Sequence, residues 1–465
     1  MIYVKDFAFF ILIMFGWLPV QRTILRDLLD WKARKGRKPL ILKGVRQCGK
    51  TYILKHFAEQ CYENVAYFNF EGNSALADRF EKNLDPERII TELGILNGKR
   101  IHSSTTLIIF DEIQFCSRAI TSLKYFYEKS PEYHIVCAGS LLGIALSNPS
   151  SFPVGKVEFL TLRPMSFYEF LLAHKEEMLL EHLTQEAKEL RPLPQIFVDK
   201  LTAILKSYYI TGGMPEVVAT WLDSSDIGEV ERVQENILNS YELDFSKHAP
   251  RTEFPRLSAI WKSIPDQLAR ESGKFVYGHA KPGARAKELE DALEWLIRAG
   301  LVYKVTLVEK PFLPLSTYSK GNYFKIYMAD VGLLRKMAKL PPSAILEDNV
   351  IYKEFKGALV ENYVLQELAN LIQDLPYYWR SGNTAEVDFL LQISGHIVPL
   401  EVKAATNIKS RSLSLYRAKF QPSLAIRCSL ANLKKEGELI NLPLYMIWLL
   451  KMCCDQLGLA AGAKR

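Results

Sequence analysis

Gly44-Val45-Arg46-Gln47-Cys48-Gly49-Lys50-Thr51 has the form G-x-x-x-x-G-K-[ST]. In such a loop, backbone N–H groups turn inward around the phosphates of a nucleoside triphosphate. Lys50 is spaced to reach the β- and γ-phosphate oxygens, and the Thr51 hydroxyl is placed to ligate Mg2+. Upstream, Pro39-Leu40-Ile41-Leu42 reads as a short buried strand; downstream, residues 52–57 read as a helix whose N-terminus faces the phosphates. Strand, loop and helix in that order predict a nucleotide-binding α/β domain, with ATP and Mg2+ as its cofactors.

Working outward, β-like runs at 40–42, 65–70, 107–110, 134–138 and 157–160 alternate with helical stretches, the pattern of a parallel α/β sheet. Leu107-Ile108-Ile109-Phe110-Asp111-Glu112 is an apolar run closing on two acids, and a parallel sheet binds ligands at the C-terminal ends of its strands. Asp111 is therefore expected to hold the Mg2+ hydration shell, and Glu112 to orient or deprotonate the attacking water. Ser140, just beyond the run at 134–138, is a candidate contact to the γ-phosphate or that water, against the plainer reading of a turn serine. Lys156 and Arg163 are candidates to neutralise transition-state charge, in their own chain or in a neighbouring subunit, and the sequence does not choose between them.

The whole chain has 465 residues, 48% hydrophobic and 24% charged, which suits several folded domains and excludes a disordered polymer. A net charge of +7 permits a polyanionic partner without requiring one. The seven cysteines include no C-x-x-C pair or zinc-like spacing, which points to a reducing, cytoplasmic setting. Cys48 reads as a small loop residue whose thiol could make nucleotide binding sensitive to oxidation. The apolar run 7–20 is shorter than the roughly twenty residues that span a bilayer, and it lacks a positive n-region. It is read as a leader segment rather than an anchor.

Residues 161–228 turn helical, with Gly212-Gly213-Met214-Pro215-Glu216 as a tight turn, and suggest a lid. Residues 229–340 have a winged-helix look, a helix at 285–296 leading through Gly300 into a β run. Glu288, Glu290, Asp291 and Glu294 make that helix too acidic for a major groove, which favours a structural or intersubunit role. Residues 341–445 form a further α/β unit, and 446–465 look like an appended tail.

In that unit, helical spacing over 355–372 places Glu361 among Ala358, Val364, Leu365 and Leu368. A carboxylate so buried must meet a metal, a cation or a proton. The two-residue period puts Glu386 and Asp388 on one strand face, and Glu401 and Lys403 on another. A helix glutamate, a strand aspartate and E-x-K are the parts of a Mg2+-dependent phosphodiesterase. Glu361, Asp388 and Glu401 would hold the metal and Lys403 would favour the hydroxide. The alternative is a retained fold in which these groups form ion pairs. Lys409, Arg411, Arg417 and Lys419 are either phosphate contacts or a solvated helix face.

Taken together, the chain resembles the prokaryotic AAA+ ATPases that carry a C-terminal restriction-endonuclease-like domain. The resemblance covers nearly all of residues 21–445. Its carriers are residues 44–51, Ile108 to Gln114, Ala138-Gly139-Ser140, Leu162-Arg163-Pro164-Met165-Ser166-Phe167-Tyr168-Glu169-Phe170, residues 212–216 and Met328-Ala329-Asp330-Val331-Gly332-Leu333-Leu334. Cys48 stands where a valine is more usual, and Lys156 where an arginine is frequent; a lysine lacks the bidentate fork of an arginine finger. The resemblance implies a P-loop AAA+ sheet (21–160), a helical lid-like region (161–228), a winged-helix-like domain (229–340) and a nuclease-like α/β domain (341–445). The expected function is an ATPase whose nucleotide state controls a nuclease-like module acting on DNA or other nucleic acid, in a chain suited to homo-oligomers. The rival is a non-cleaving regulator that presents the C-terminal unit as a DNA- or protein-binding surface. A small-molecule P-loop kinase is disfavoured, since no acceptor site is recognisable.

Overall fold

In the computed structural model the described residues are 21–139, 152–250, 252–270, 273–347, 353–382, 385–405 and 410–455. The expected leader (1–20), Ser140, Lys409 and the last ten residues lie outside them. The chain divides into two units: one runs to Arg163 and adds Arg298–Gly300, the other comprises Pro164–Ile297 and everything from Leu301 onward.

The first unit is built on five parallel strands, β1 (Leu40–Lys43), β2 (Asn64–Asn69), β3 (Thr106–Asp111), β4 (His134–Ala138) and β5 (Glu158–Thr161), in the spatial order β2-β3-β4-β1-β5. Each coincides with an expected β run to within about two residues. The inner strands β3 and β4 are buried at every position, as continuous apolar runs covered on both faces should be. Edge strand β5 alternates instead between partly buried and exposed residues. The two-residue period divides the core: Ile41, Ile108, Phe110, Ile135 and Cys137 pack on one face, and Leu40, Leu42, Leu107, Ile109, Val136 and Ala138 on the other.

The second unit contains a mixed sheet of eight strands. These are β6 (Val302–Val308), β7 (Ser319–Met328), β8 (Tyr377–Ser381), β9 (Ala385–Ile393), β10 (His396–Val402), β11 (Ala425–Ser429), β12 (Lys434–Glu436) and β13 (Leu439–Pro443), in the order β12-β13-β11-β10-β9-β8-β6-β7. This sheet alters the expected division of the chain. Strands β6 and β7 come from the stretch assigned to a winged-helix-like domain, yet β6 pairs in parallel with β8 at Leu307–Tyr378 and Val308–Trp379. Residues 229–340 and 341–445 therefore share one sheet and one unit. The lid-like region belongs to that unit as well.

Its motifs are structural. The Asp330 carboxylate accepts from Gly213 N at 2.6 Å and Leu333 N at 2.9 Å, and Gly213 returns its carbonyl to Met165 N at 2.6 Å. A Cβ on Gly213 would stand 2.1 Å from the Met165 carbonyl oxygen, so the close approach requires glycine. The helix Phe167–Ala173 begins with a capping box, Ser166 with Glu169, and the buried Glu367 carboxylate accepts from Phe167 N at 2.9 Å. Glu367 lies on the helix Lys353–Leu371, which the sequence predicted as 355–372. The expected tail is likewise part of the core up to its second turn: Leu444–Leu449 and Leu450–Cys454 are short helices, and Tyr445, Met446, Ile447, Leu450, Cys453 and Cys454 are buried. A run ending in paired cysteines carried no periodic signal that would have shown it.

Burial pushes the Glu367 carboxyl from 4.5 up to about 8, against the pull of its bond from Phe167 N. Because the folded-state pKa is raised, its contribution to stability is full below the unfolded value and is lost as pH rises through about 8. Relative to Glu367→Gln, the wild-type melting temperature should fall between pH 6 and 9, read by thermal unfolding at constant ionic strength; parallel curves would contradict this.

Candidate functional site

In a parallel sheet all strands end at one edge, so β1 delivers the glycine-rich loop, and β3 its two acids, to the same edge, with β4 between them. Gly44 lies against the segment leaving β5: a Cβ there would stand 2.2 Å from the Leu162 carbonyl oxygen. The loop then leads into the helix Lys50–Cys61. Lys50, almost fully buried, donates from Nζ to the carbonyls of Gly44 at 2.9 Å and Val45 at 2.8 Å, so its ammonium is held inside its own loop. Val45 and Cys48 are buried, and the Cys48 Sγ packs 3.6 Å from the Leu162 carbonyl oxygen.

Thr51 Oγ1 donates to Asp111 Oδ2 at 2.7 Å, which joins the loop helix to β3. Tyr67 on β2 donates its hydroxyl to the same Oδ2 at 2.7 Å, and Asp111 Oδ1 accepts from Glu112 N at 3.0 Å. Burial and the hydrogen bond to Asp111 hold the Tyr67 phenol well above its usual pKa, so it serves as a neutral donor. Glu112 occupies the left-handed region, φ 49° and ψ 41°, a sparsely populated backbone state for a glutamate and one that clusters at active sites. Gln114 donates to the Glu112 carboxylate through a short hydrogen bond. Thr51 and Asp111 present converging oxygens of the kind Mg2+ takes along with phosphates and water, so these residues fit that ion.

The two basic candidates are placed differently. β5 runs parallel to β1 with Leu40 opposite Glu158, so Lys156 precedes the strand and lies at the edge away from the loop. There its Nζ pairs with Glu128 at 3.0 Å on the helix Ser117–Lys129 and lies 5.3 Å from the Tyr127 ring centroid. Within its own chain Lys156 is thus not a group of this site. Arg163 follows Leu162, whose N–H extends the pairing to Lys43 O at 2.7 Å, and so leaves the sheet at the loop edge. Its Nε is buried and has no hydrogen-bond partner among the described residues. Sequence reading missed Arg22. This buried guanidinium donates to the Cys48 carbonyl at 3.0 Å and to the Arg163 carbonyl, tying the loop to the end of β5. Arg22 and Tyr67 reach the site from segments without a motif; the only available signals were an arginine preceding a helix and a tyrosine within a buried strand.

The acids of the second unit come together around a residue that was not predicted. Lys325 of β7, its side chain 4% exposed, pairs through Nζ with Glu361 at 3.0 Å and Glu386 at 2.6 Å. Tyr327 donates its hydroxyl to Glu361, and Asp388 Oδ2 accepts from Val402 N at 2.7 Å. Burial alone would lower the Lys325 pKa, but Glu361, Tyr327, Glu386 and Asp388 outweigh it and hold the ammonium well above the usual lysine range. Burial first, and Glu361 next, push the Asp388 carboxyl well above the usual range. Glu401 is engaged separately, by Lys403 Nζ at 2.7 Å, the Ser410 hydroxyl and Leu413 N at 3.2 Å. Among the described residues no group of three or more acids, histidines or cysteines is arranged to hold a metal. The set Glu361, Asp388 and Glu401 thus does not fit a metal in this arrangement, because Glu361 is paired with Lys325 and Glu401, engaged apart from it, with Lys403. Arg411, Arg417 and Lys419 lie on the helix Arg411–Phe420, and Arg417 pairs with Glu438 at 3.6 Å.

Residues 36–171 match the family model described as an AAA domain. Residues 202–344 and 356–445 match two models described as domains of unknown function, DUF8612 and DUF4143, which lend the nuclease-like and winged-helix expectations no support. Uncharacterized protein Rv2008c of Mycobacterium tuberculosis and uncharacterized protein Mb2031c of Mycobacterium bovis are each 37% identical over 91 residues, 19% of this chain and 20% of theirs. The match thus spans about a fifth of the length of these curated relatives. Among solved structures, the Walker-type ATPase PABY2304 of Pyrococcus abyssi aligns with TM-score 0.43 and 15% identity over 68% of this chain and 95% of that one. Aeropyrum pernix ORC1 in complex with DNA aligns with TM-score 0.29 and 14% identity over 71% and 95%. The Thermotoga maritima RuvB Holliday junction branch migration motor gives 0.27 and 14% over 63% and 90%. The first unit carries an AAA-type P-loop domain. No helix among the described residues is long and apolar enough to cross a membrane.

Removing the Arg22 guanidinium leaves two loop-edge carbonyls without their charged donor. Arg22→Gln should weaken binding of a fluorescent ATP analogue by on the order of tenfold, the scale of one or two hydrogen bonds to a charged group; unchanged affinity in a folded variant would remove Arg22 from the loop's support.

Proposed function

We propose that the chain is a Mg2+-dependent ATPase whose nucleotide state governs the second unit. The observation that carries the reading is the Thr51–Asp111 hydrogen bond of 2.7 Å, which brings the loop helix and the acidic strand to one point. Lys50 exchanges the carbonyls of Gly44 and Val45 for β- and γ-phosphate oxygens, and the loop amides receive the remaining phosphate oxygens. Thr51 and Asp111 would hold Mg2+, which would supply charge neutralisation for phosphoryl transfer. Glu112, one residue beyond Asp111 and steadied by Gln114, orients the attacking water and takes up its proton. Tyr67 keeps Asp111 turned toward Thr51. Arg163, whose Nε at the loop edge has no partner among the described residues, is the basic candidate placed to meet developing γ-phosphate charge. Ser140 remains a proposed γ-phosphate or water contact, and Lys156 could act only on the nucleotide of a neighbouring subunit in a homo-oligomer.

For the second unit, the filled acid cluster favours the non-cleaving reading: a module that binds nucleic acid or protein under nucleotide control. Lys403 and Glu401 then serve as an ion pair.

Lys50→Ala should abolish binding of ATP, whereas Glu112→Gln should bind it normally and lose turnover by about 10^2- to 10^4-fold, the usual contribution of a general base. Phosphate release measured beside equilibrium binding separates the two effects. Near-normal turnover by Glu112→Gln would remove Glu112 from this role.

A further inference from the structure

We propose that Lys325 is a built-in cation standing among Glu361, Glu386 and Asp388 where a divalent metal would otherwise bind, so that this cluster excludes such ions in the native chain and admits one when the ammonium is removed. The inference deepens the non-cleaving reading of the second unit and rests on it.

Four observations converge. Lys325 Nζ lies 3.0 Å from Glu361 and 2.6 Å from Glu386, contact distances for charged hydrogen bonds that already place a full positive charge on these oxygens. Mg2+ would need those oxygens at roughly 2.0–2.1 Å. The lysine is also fixed in place. It is buried, and a Cβ on neighbouring Gly273 would meet its Cε at 3.2 Å, so its stem is tightly enclosed. The Tyr378 ring lies 5.4 Å from its Nζ and offers a further cation-stabilising face. The carboxylates themselves are committed: Glu361 also accepts from Tyr327, and Asp388 from Val402 N.

The positions of the groups explain why the lysine pairs with both glutamates and lies within electrostatic reach of Asp388. Glu361 comes from the helix Lys353–Leu371, Glu386 and Asp388 from one face of β9, and Lys325 from edge strand β7. Three segments distant in sequence therefore meet at one ammonium. Glu361 and Glu386 are partly withdrawn from water, so removing Lys325 takes away their counter-charge and leaves oxygens that a hard divalent ion satisfies.

The test measures Mn2+ binding to the full chain without nucleotide, by electron paramagnetic resonance of free Mn2+, for the native protein, Lys325→Ala, Lys325→Arg and Asp388→Asn. The native protein and Asp388→Asn should bind the same number of Mn2+ ions. Lys325→Ala should gain one site, and its melting temperature should rise with Mn2+; Lys325→Arg should gain none. Loss of a Mn2+ ion in Asp388→Asn would overturn the proposal without reference to any Lys325 variant, and so would a folded Lys325→Ala that gains no site. The same samples, incubated with single- and double-stranded DNA, distinguish the two readings. Cleavage by the native protein that Asp388→Asn abolishes would overturn both, whereas no cleavage together with no gained site sinks the Lys325 assignment alone.

Discussion

The candidate nucleotide site of the first unit is organised around one hydrogen bond, from the Thr51 hydroxyl to the Asp111 carboxylate across the width of β4. Around it the supports are specific. Tyr67 holds the same carboxylate oxygen from β2, and Arg22 secures the loop carbonyl of Cys48 from the start of the unit. Leu162 fits against Gly44 so closely that no side chain could stand there. These contacts pre-position the loop and the acid, which matters because phosphoryl transfer draws its acceleration from positioning and charge rather than from covalent chemistry with the protein.

The second unit is organised by a different constraint, the satisfaction of buried charge. Its long helix Lys353–Leu371 carries Glu361, Asn362, Gln366 and Glu367 into the interior, and each finds a partner: Lys325, the Met328 backbone, Val331 N and Phe167 N. Asp330 does the same for the glycine turn at 212–213. Groups that resemble catalytic parts when read singly thus also make contacts between segments distant in sequence. The same physics gives Asp330 and Lys325 their place: a low-dielectric interior tolerates a charge only when donors or a counter-charge face it.

Much of this was legible in the sequence. Consecutive apolar residues gave all five strands of the first sheet, the glycine spacing gave the loop, and the acids ending β3 followed from strand polarity. Helical and strand periods also placed Glu361, Glu386 and Asp388 on buried or shared faces. What escaped was non-local. Nothing near residue 302 indicates that β6 will pair with β8, seventy residues on, so a domain boundary was drawn through a single sheet. Lys325 sits in the run Phe324-Lys325-Ile326-Tyr327-Met328, where a lone lysine in an otherwise apolar strand was the available sign of a buried counter-charge. Lys156 was adjacent in sequence to a strand of the nucleotide sheet, but its position at the start rather than the end of that strand puts it at the wrong edge.

The central claim, that the loop and the acidic strand share one metal–triphosphate complex, is tested most directly by determining the structure with Mg2+ and a non-hydrolysable ATP analogue. The account predicts the β-phosphate enclosed by the amides of residues 44–51, Lys50 turned from its own carbonyls to the phosphates, and Mg2+ between the Thr51 hydroxyl and the Asp111 carboxylate. A nucleotide bound elsewhere, or a metal coordinated without reference to either residue, would contradict it.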